Sequence, residues 1–77
     1  MTFKPDWDKT GTRIIGQYHG IPYQGIIESS RVCYGNDVEY RVRLLDMIAL
    51  YGEWRSTILV RREQDQYNYQ LVIEEMA

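Results

Sequence analysis

The chain has 77 residues and a formal net charge of −2, with one cysteine and one histidine. This is the length of a single small domain, and the composition excludes an internal disulfide and a zinc site built from Cys and His. The longest uninterrupted apolar run, residues 47–51, is far shorter than the roughly 20 residues that span a bilayer, and residues 1–6 lack the apolar core of a signal peptide, so we expect a cytoplasmic protein.

The first third of the chain predicts an irregular arm and one strand. Residues 1–10 contain a proline and mixed charges without periodicity, so we interpret them as an N-terminal arm that tucks Phe3 and Trp7 against a single domain at 11–77. Residues 12–18 alternate as a strand. Residues 19–22 predict a turn, because glycine permits positive φ and proline favours an extended residue before it.

The clearest pattern is a long β-hairpin over residues 23–46, with its turn at residues 35–37. Its second arm alternates strictly, which predicts one buried and one wet face. The predicted buried set is Val38, Tyr40, Val42 and Leu44, and the predicted wet set is Glu39, Arg41 and Arg43. The first arm cannot keep one register throughout, so a β-bulge near residues 28–30 is expected to bend it.

The last third of the chain predicts further strands. Residues 47–51 fit a strand, which we favour because Ile48 and Tyr51 have high β propensity, but residues 44–51 also fit a short helix that ends at Gly52. We expect strands over residues 54–60 and 67–73, joined by a polar loop at residues 63–66. Tyr67, Tyr69, Leu71 and Ile73 would share one face of the final strand.

These elements predict an all-β protein with five or six short antiparallel strands. A closed or nearly closed small barrel is favoured because it removes exposed strand edges. The alternative is an open antiparallel sheet that is capped by a helix at residues 44–51. A domain of this size buries a small core, so we expect self-association into a homo-oligomer to supplement it.

Glycines and aromatic residues at the start of the domain carry a resemblance to a known family. Gly11 precedes the first strand, and the second begins with Tyr23-Gln-Gly-Ile-Ile, an aromatic-x-Gly-x-Ile pattern. Over residues 11–46 the chain resembles SH3-like small barrels such as Tudor-type modules. The resemblance implies an SH3-like barrel that binds a peptide, a methylated side chain or a nucleic acid, with an aromatic cage drawn from Tyr18, Tyr23, Tyr40 or Trp54. The chain also resembles small single-domain proteins carried by phages, plasmids and other mobile elements.

One SH3-like barrel of comparable length is an enzyme, the plasmid-borne dihydrofolate reductase. It carries a Val-Gln-Ile-Tyr segment at a central pore. The nearest stretch here, residues 56–60, lacks both the Gln and the Tyr. That activity is therefore not carried over to this chain.

The candidate binding surface combines arginines with two aromatic side chains. Arginine supplies planar donors for phosphate or carboxylate, and aromatic rings can stack on bases. The alternative is that these arginines pair with Glu28, Glu39 or Glu53 and solubilise the sheet, and that the two aromatic rings either anchor an interface or enlarge the core. The predicted surface consists of Arg41, Arg43, Tyr51, Trp54, Arg55, Arg61 and Arg62.

No constellation of residues in the sequence predicts catalysis, a metal site or a cofactor. His19 lacks an obvious acid–base or metal partner, Cys33 suits a buried apolar position, and Ser29 and Ser30 suit the bulge. We therefore predict a non-enzymatic binding module of a mobile element that engages a protein partner. The alternative is a nucleic-acid-binding small barrel, and a third hypothesis is a pocket between subunits that is lined by His19 and tyrosines.

Overall fold

The computed structural model describes residues 5–72, and it contains five strands joined by turns. The strands are β1 (Arg13–Tyr18), β2 (Ile21–Val32), β3 (Val38–Leu50), β4 (Glu53–Arg61) and β5 (Tyr69–Val72). They form one antiparallel sheet in the order β4-β3-β2-β1-β5. The all-β prediction is confirmed for these residues. The pairings form an open sheet with β4 and β5 at its edges, so closure into a barrel stays a prediction. No helix within residues 5–72 is long and apolar enough to cross a membrane.

Two tight turns connect the strands at one end of the sheet. His19 and Gly20 have φ values of 51° and 79°, and Tyr51 and Gly52 have φ values of 51° and 80°. Two-residue loops with both residues at positive φ match the twist of antiparallel strands, which explains these hairpins. The turn predicted at residues 19–22 is therefore shorter than expected, because residues 21 and 22 already belong to β2.

One face of the sheet carries the hydrophobic core, and the residues predicted to be buried between positions 38 and 44 all lie on that face. Glu39 is the exception, because it is buried although it lies on the outward face. Arg31 on β2 lies opposite Glu39 and contacts its carboxylate at 2.7 Å, which allows the charge to be enclosed. The core cluster consists of Ile14, Tyr23, Ile27, Val38, Tyr40, Val42, Leu44, Ile48, Ile58 and Val60, with Trp7 packed against it.

The predicted bulge in β2 is confirmed. Ile27 pairs with Val42, and Ser29 pairs with Arg41, so Glu28 is the extra residue on β2. The register shift resolves the conflict of parity in the sequence, because apolar residues before and after it can then face the same side.

Residues 44–50 are strand, so the helical alternative for residues 44–51 is wrong. β3 continues without a break to Leu50, instead of ending near residue 46 before a separate strand. Its pairing with β4 shifts sharply, since Arg43 lies opposite Thr57 and Ile48 lies opposite Arg55. The shift divides the β3–β4 hairpin into a proximal half, residues 38–43 with 57–61, and a distal half, residues 44–50 with 53–55.

The two ends of the domain refine the predicted boundaries. Residues 5–10 are irregular, as expected for the arm, and Phe3 lies outside the described residues. At the other end β5 begins at Tyr69, so the strand predicted to start at Tyr67 is wrong there. The backbone N–H of Asn68 donates to the Asp65 carbonyl at 2.8 Å and closes a turn that leaves Tyr67 exposed. Ile73 also lies outside the described residues.

Candidate functional site

The predicted arginines do not lie on one surface, because Arg55 lies opposite Ile48 in the distal half and the others lie in or beside the proximal half. Arg41 and Arg43 are exposed and share the outward face of β3 as predicted. Arg61 lies opposite Glu39 across the strand pair and therefore belongs to the same face. Arg62 follows β4, where its Nη2 donates to the Asn36 carbonyl at 3.4 Å.

Most of the arginines along this sheet have a carboxylate partner. Besides the pair between Arg31 and Glu39, Arg41, Arg55 and Arg62 each form a longer ion pair with a residue in the described part of the chain. Exposed pairs of this kind stabilise a fold by only about 0 to 1 kcal/mol, but they neutralise charge that would otherwise attract phosphate. The pairs are Arg41 Nε with Glu28 Oε1 at 3.2 Å, Arg55 Nη2 with Glu53 Oε2 at 3.9 Å, and Arg62 Nη2 with Glu63 Oε1 at 3.8 Å.

The two aromatic residues of the predicted surface lie on the distal half of the hairpin. Tyr51 occupies the turn between β3 and β4, and its ring centroid lies 6.0 Å from that of His19 in the neighbouring turn. Trp54 on β4 lies opposite Ala49 on β3. Both side chains are exposed, so the interpretation that they enlarge the core is wrong.

In the distal half, β3 carries apolar side chains on both of its faces, whereas Asp46, Glu53 and Arg55 are exposed charged residues there. Ile48 and Leu50 are buried, whereas Leu45 and Met47 point to the opposite side and are 53% and 55% exposed. Trp54 extends this exposed surface from β4 and is 69% exposed. We call the surface formed by Leu45, Met47, Ala49 and Trp54 the distal apolar face, and only Trp54 among its members was predicted from the sequence. The signal lies in residues 44–50, where every residue except Asp46 is apolar, so both parities carry apolar side chains.

Asp37 holds the start of the proximal half in place. Its Oδ1 accepts the backbone N–H groups of Val38 at 2.8 Å and of Glu63 at 2.9 Å. Burial alone would raise the pKa of Asp37, but these backbone hydrogen bonds outweigh it and lower the pKa below its ordinary value of 3.8. This carboxylate therefore stabilises the connection between β4 and the β2–β3 turn.

Tyr23 and Tyr69 are two tyrosines with opposite hydrogen-bonding states. The Tyr69 hydroxyl donates to the Arg62 carbonyl at 2.9 Å, whereas the buried Tyr23 hydroxyl has no partner among residues 5–72. Burial raises the pKa of each to about 12, and the nearby Asp65 carboxylate adds to the effect at both. Tyr23 lines a cavity together with Tyr18, another tyrosine implied for a cage, and with Asp65, which belongs to no predicted site.

The remaining candidates have structural surroundings. Cys33 is half-buried and its Sγ donates to the Asp37 carbonyl at 3.4 Å. Ser30 accepts the Lys9 backbone N–H at 3.1 Å and so ties the arm to the bulge. Tyr40, one of the tyrosines implied for a cage, is buried against Tyr69. Within residues 5–72 no three His, Cys, Asp or Glu side chains come close enough to hold a metal ion.

Comparison of the chain with family models, curated proteins and solved structures finds no match.

Proposed function

We propose that this domain is a non-enzymatic binding module that engages a protein partner through the distal apolar face. The observation that carries the proposal is that β3 has apolar side chains on both of its faces in the distal half. Ile48 is buried on one side, while Met47 and Trp54 on the other side are each more than half exposed. Contiguous exposed apolar surface of this kind marks interaction sites.

The size and composition of the face fit a protein interface. With Tyr51 at its rim, it offers on the order of 500 Å² of the roughly 800 Å² that each side of a standard interface buries. Trp and Tyr are also the residue types that contribute most to binding energy at interfaces. The face itself carries no charged side chain, which favours a protein over a nucleic acid.

The free edge of the sheet indicates how a partner would bind. Among residues 5–72, β4 pairs with β3 only, so its outer edge presents backbone N–H and C=O groups without a strand partner. An extended segment of a partner protein would add a strand there, and its apolar side chains would continue the surface beside Trp54. We therefore propose an extended segment with alternating apolar residues as the occupant.

A second copy of the chain is the competing occupant, and the sequence of β4 favours it. Antiparallel pairing of β4 with itself, centred on Thr57, would set Glu53 of each copy opposite Arg61 of the other. Opposite charges in facing positions support such a pair. Self-association would agree with the homo-oligomer expected from the chain length.

The finer predictions of fold, location and origin accompany this proposal. The bend at Glu28 and the five-stranded antiparallel sheet support an SH3-like barrel. The free thiol of Cys33 supports the cytoplasm, where cysteines stay reduced. The small single domain supports an accessory role in a mobile element.

Site-specific photo-cross-linking in the source cells tests the proposal. A photoreactive residue at Met47 is compared with one at Tyr34, a 99% exposed position in the connection between β2 and β3. We expect a protein adduct from position 47 that Trp54→Ser suppresses, and no such adduct from position 34. The absence of an adduct at 47, or equal adducts at both positions, would overturn the proposal.

The identity of the adduct separates the possible occupants. An adduct of twice the chain's mass, with light scattering that shows a dimer, would assign the face to a second copy. A nuclease-sensitive adduct, lost on Arg43→Gln, would replace the proposal with the nucleic-acid alternative, because Arg43 has no ion pair among the described residues.

A further inference from the structure

The Tyr23 side chain is only 8% exposed, yet its hydroxyl oxygen is enclosed without a hydrogen-bond partner among residues 5–72. Buried side-chain polar atoms in folded proteins nearly always have a partner, and each exception needs an explanation. The other tyrosine of this region, Tyr69, follows the rule through its bond to the Arg62 carbonyl. The Tyr23 hydroxyl is thus a buried donor and acceptor that no described residue satisfies.

Tyr23 is one of the residues that line a polar cavity of about 250 Å³ between the β1–β2 turn and the connection from β4 to β5. Gln17 and His19 line it from the turn, and Asp65 and Asn68 line it from the connection. The volume is below the 300 to 1,000 Å³ typical of drug-sized ligand pockets, so the cavity suits a group of a few non-hydrogen atoms.

The charge in the cavity comes from Asp65. Its Oδ2 accepts the Arg61 backbone N–H at 2.8 Å, which fixes the carboxylate and leaves Oδ1 without a hydrogen bond among the described residues. Burial first, and then the negative charge of Asp65, raises the pKa of Tyr23 to about 12, so the phenol is neutral at pH 7 and Asp65 is the charged group beside it. A negative, partly desolvated site favours a cation.

We propose that this cavity binds an organic cation with N–H donors, a primary ammonium or a guanidinium group. The Tyr23 hydroxyl accepts one N–H, and the Asp65 carboxylate balances the charge. A quaternary ammonium ion has no N–H to donate and would leave the Tyr23 hydroxyl unsatisfied. The cavity thus selects for N–H donors as well as for positive charge.

Titration of the intact chain with small cations tests this inference. The probes are butylammonium, methylguanidinium, tetramethylammonium and the neutral polyol glycerol, with amide NMR shifts and calorimetry as the readouts. We expect butylammonium or methylguanidinium to shift the resonances of Gln17 and Asn68, with a dissociation constant on the order of 1 mM for so few atoms. Tetramethylammonium and glycerol should bind at least about tenfold more weakly, because one lacks donors and the other lacks charge.

Two substitutions assign the binding to named atoms. Asp65→Asn keeps an oxygen for the Arg61 N–H and removes the charge, and it should weaken binding about tenfold or more. Tyr23→Phe removes only the hydroxyl and should weaken binding about fivefold. The matched control is Glu53→Gln, an exposed carboxylate on β4 outside the cavity, which should leave binding unchanged.

Several results would overturn the inference. One is binding of tetramethylammonium or glycerol that is as tight as that of butylammonium. Another is the absence of shifts at Gln17 and Asn68. A third is an unchanged affinity for butylammonium in Tyr23→Phe, which keeps the aromatic ring. A short peptide with one lysine distinguishes the sources of the cation. Binding tighter than butylammonium would assign the cavity to a basic side chain of a partner, and equal or weaker binding would assign it to a free amine. The outcome is independent of the distal apolar face, which shares none of these residues.

Discussion

The proximal and distal halves of the β3–β4 hairpin use the same backbone pairing and opposite surface chemistry. In the proximal half the side of β3 that faces away from the core carries Glu39, Arg41 and Arg43, so this part of β3 has one apolar and one charged face. In the distal half the corresponding side carries Leu45 and Met47. The register shift between Arg43 and Ile48 marks the boundary between them.

The difference separates what the fold requires from what it does not require. The proximal pattern is the one that a sheet with one wet face needs for its own stability. The distal pattern leaves apolar side chains in water, which gives the isolated domain no stability and favours association. Experiments that compare the two halves therefore test the assignment of the distal half to binding.

The largest contrast is expected from truncations of matched size. Ile58, opposite Val42 in the proximal half, is 3% exposed, so Ile58→Ala should lower the free energy of unfolding by about 2 to 5 kcal/mol. Leu45→Ala in the distal half should change it by less than about 0.5 kcal/mol, because Leu45 is mostly in water. Urea denaturation of both variants at a concentration where the chain is monomeric is the measurement. A loss of several kcal/mol in Leu45→Ala would mean that the distal face is enclosed within the monomer.

The proximal half was largely predictable from the sequence, because strand alternation is a local signal. Residues 38–44 show their buried face by parity alone, and the conflict of parity before Val32 predicts the bulge at Glu28. The burial of Glu39 was not predictable in this way, since it depends on Arg31 from the neighbouring strand. Local patterns report which face of a strand is apolar, but they do not report which strand covers it.

The distal half and the Tyr23 cavity depend on contacts between distant parts of the chain. The strand at residues 44–50 is paired through β4, which lies later in the chain, so the local pattern of residues 44–51 is ambiguous between strand and helix. The meeting of Tyr23 with Asp65 requires the connection after β4 to fold back against the β1–β2 turn. The prediction that Tyr67 belongs to the last strand is wrong because the turn closed by Asn68 has no distinct local sequence pattern.

The next largest effect is expected at Asp37, which fastens the turn at the start of the proximal half. Asp37→Ala leaves two backbone N–H groups without their acceptor and should cost about 2 kcal/mol, whereas Asp37→Asn keeps an oxygen acceptor and should cost less. Because the folded pKa of Asp37 lies below 3.8, its contribution is present above that pH and is lost as the pH falls through the folded pKa. Denaturation curves of the native chain and Asp37→Ala should therefore converge in acid. Equal losses in both variants at neutral pH would show that charge, rather than the acceptor, holds the turn.

A further effect is expected in alkali from the tyrosines beside each half. Tyr69 contacts Tyr40 of the proximal half, and Tyr23 lines a cleft with Met47 and Ile48 of the distal half. Both have a folded pKa of about 12 against an ordinary value of 10.0, so between these values the folded state holds protons that the unfolded state has lost. Stability should be complete below pH 10 and should fall towards pH 12 by at most about 2 kcal/mol per tyrosine. Tyr69→Phe should reduce this pH dependence in urea denaturation, while Tyr34→Phe, at a fully exposed position, should leave it unchanged. An identical pH dependence in Tyr69→Phe would contradict the prediction.

The smallest effects are changes in the free energy of unfolding that have opposite signs at Tyr69, beside the proximal half, and at Tyr23, beside the distal half. Tyr69→Phe removes a hydrogen bond to the Arg62 carbonyl and should destabilise the ligand-free domain by about 1 kcal/mol. Tyr23→Phe removes a buried hydroxyl that has no partner among the described residues, so it should stabilise the ligand-free domain by about 1 kcal/mol. Thermal and urea denaturation of the two variants at pH 7 give both values, and the order should reverse for Tyr23→Phe when butylammonium saturates the native protein. Destabilisation by Tyr23→Phe without any added cation would mean that the hydroxyl already bonds to water inside the fold, and the cavity would then be a hydrated part of the core.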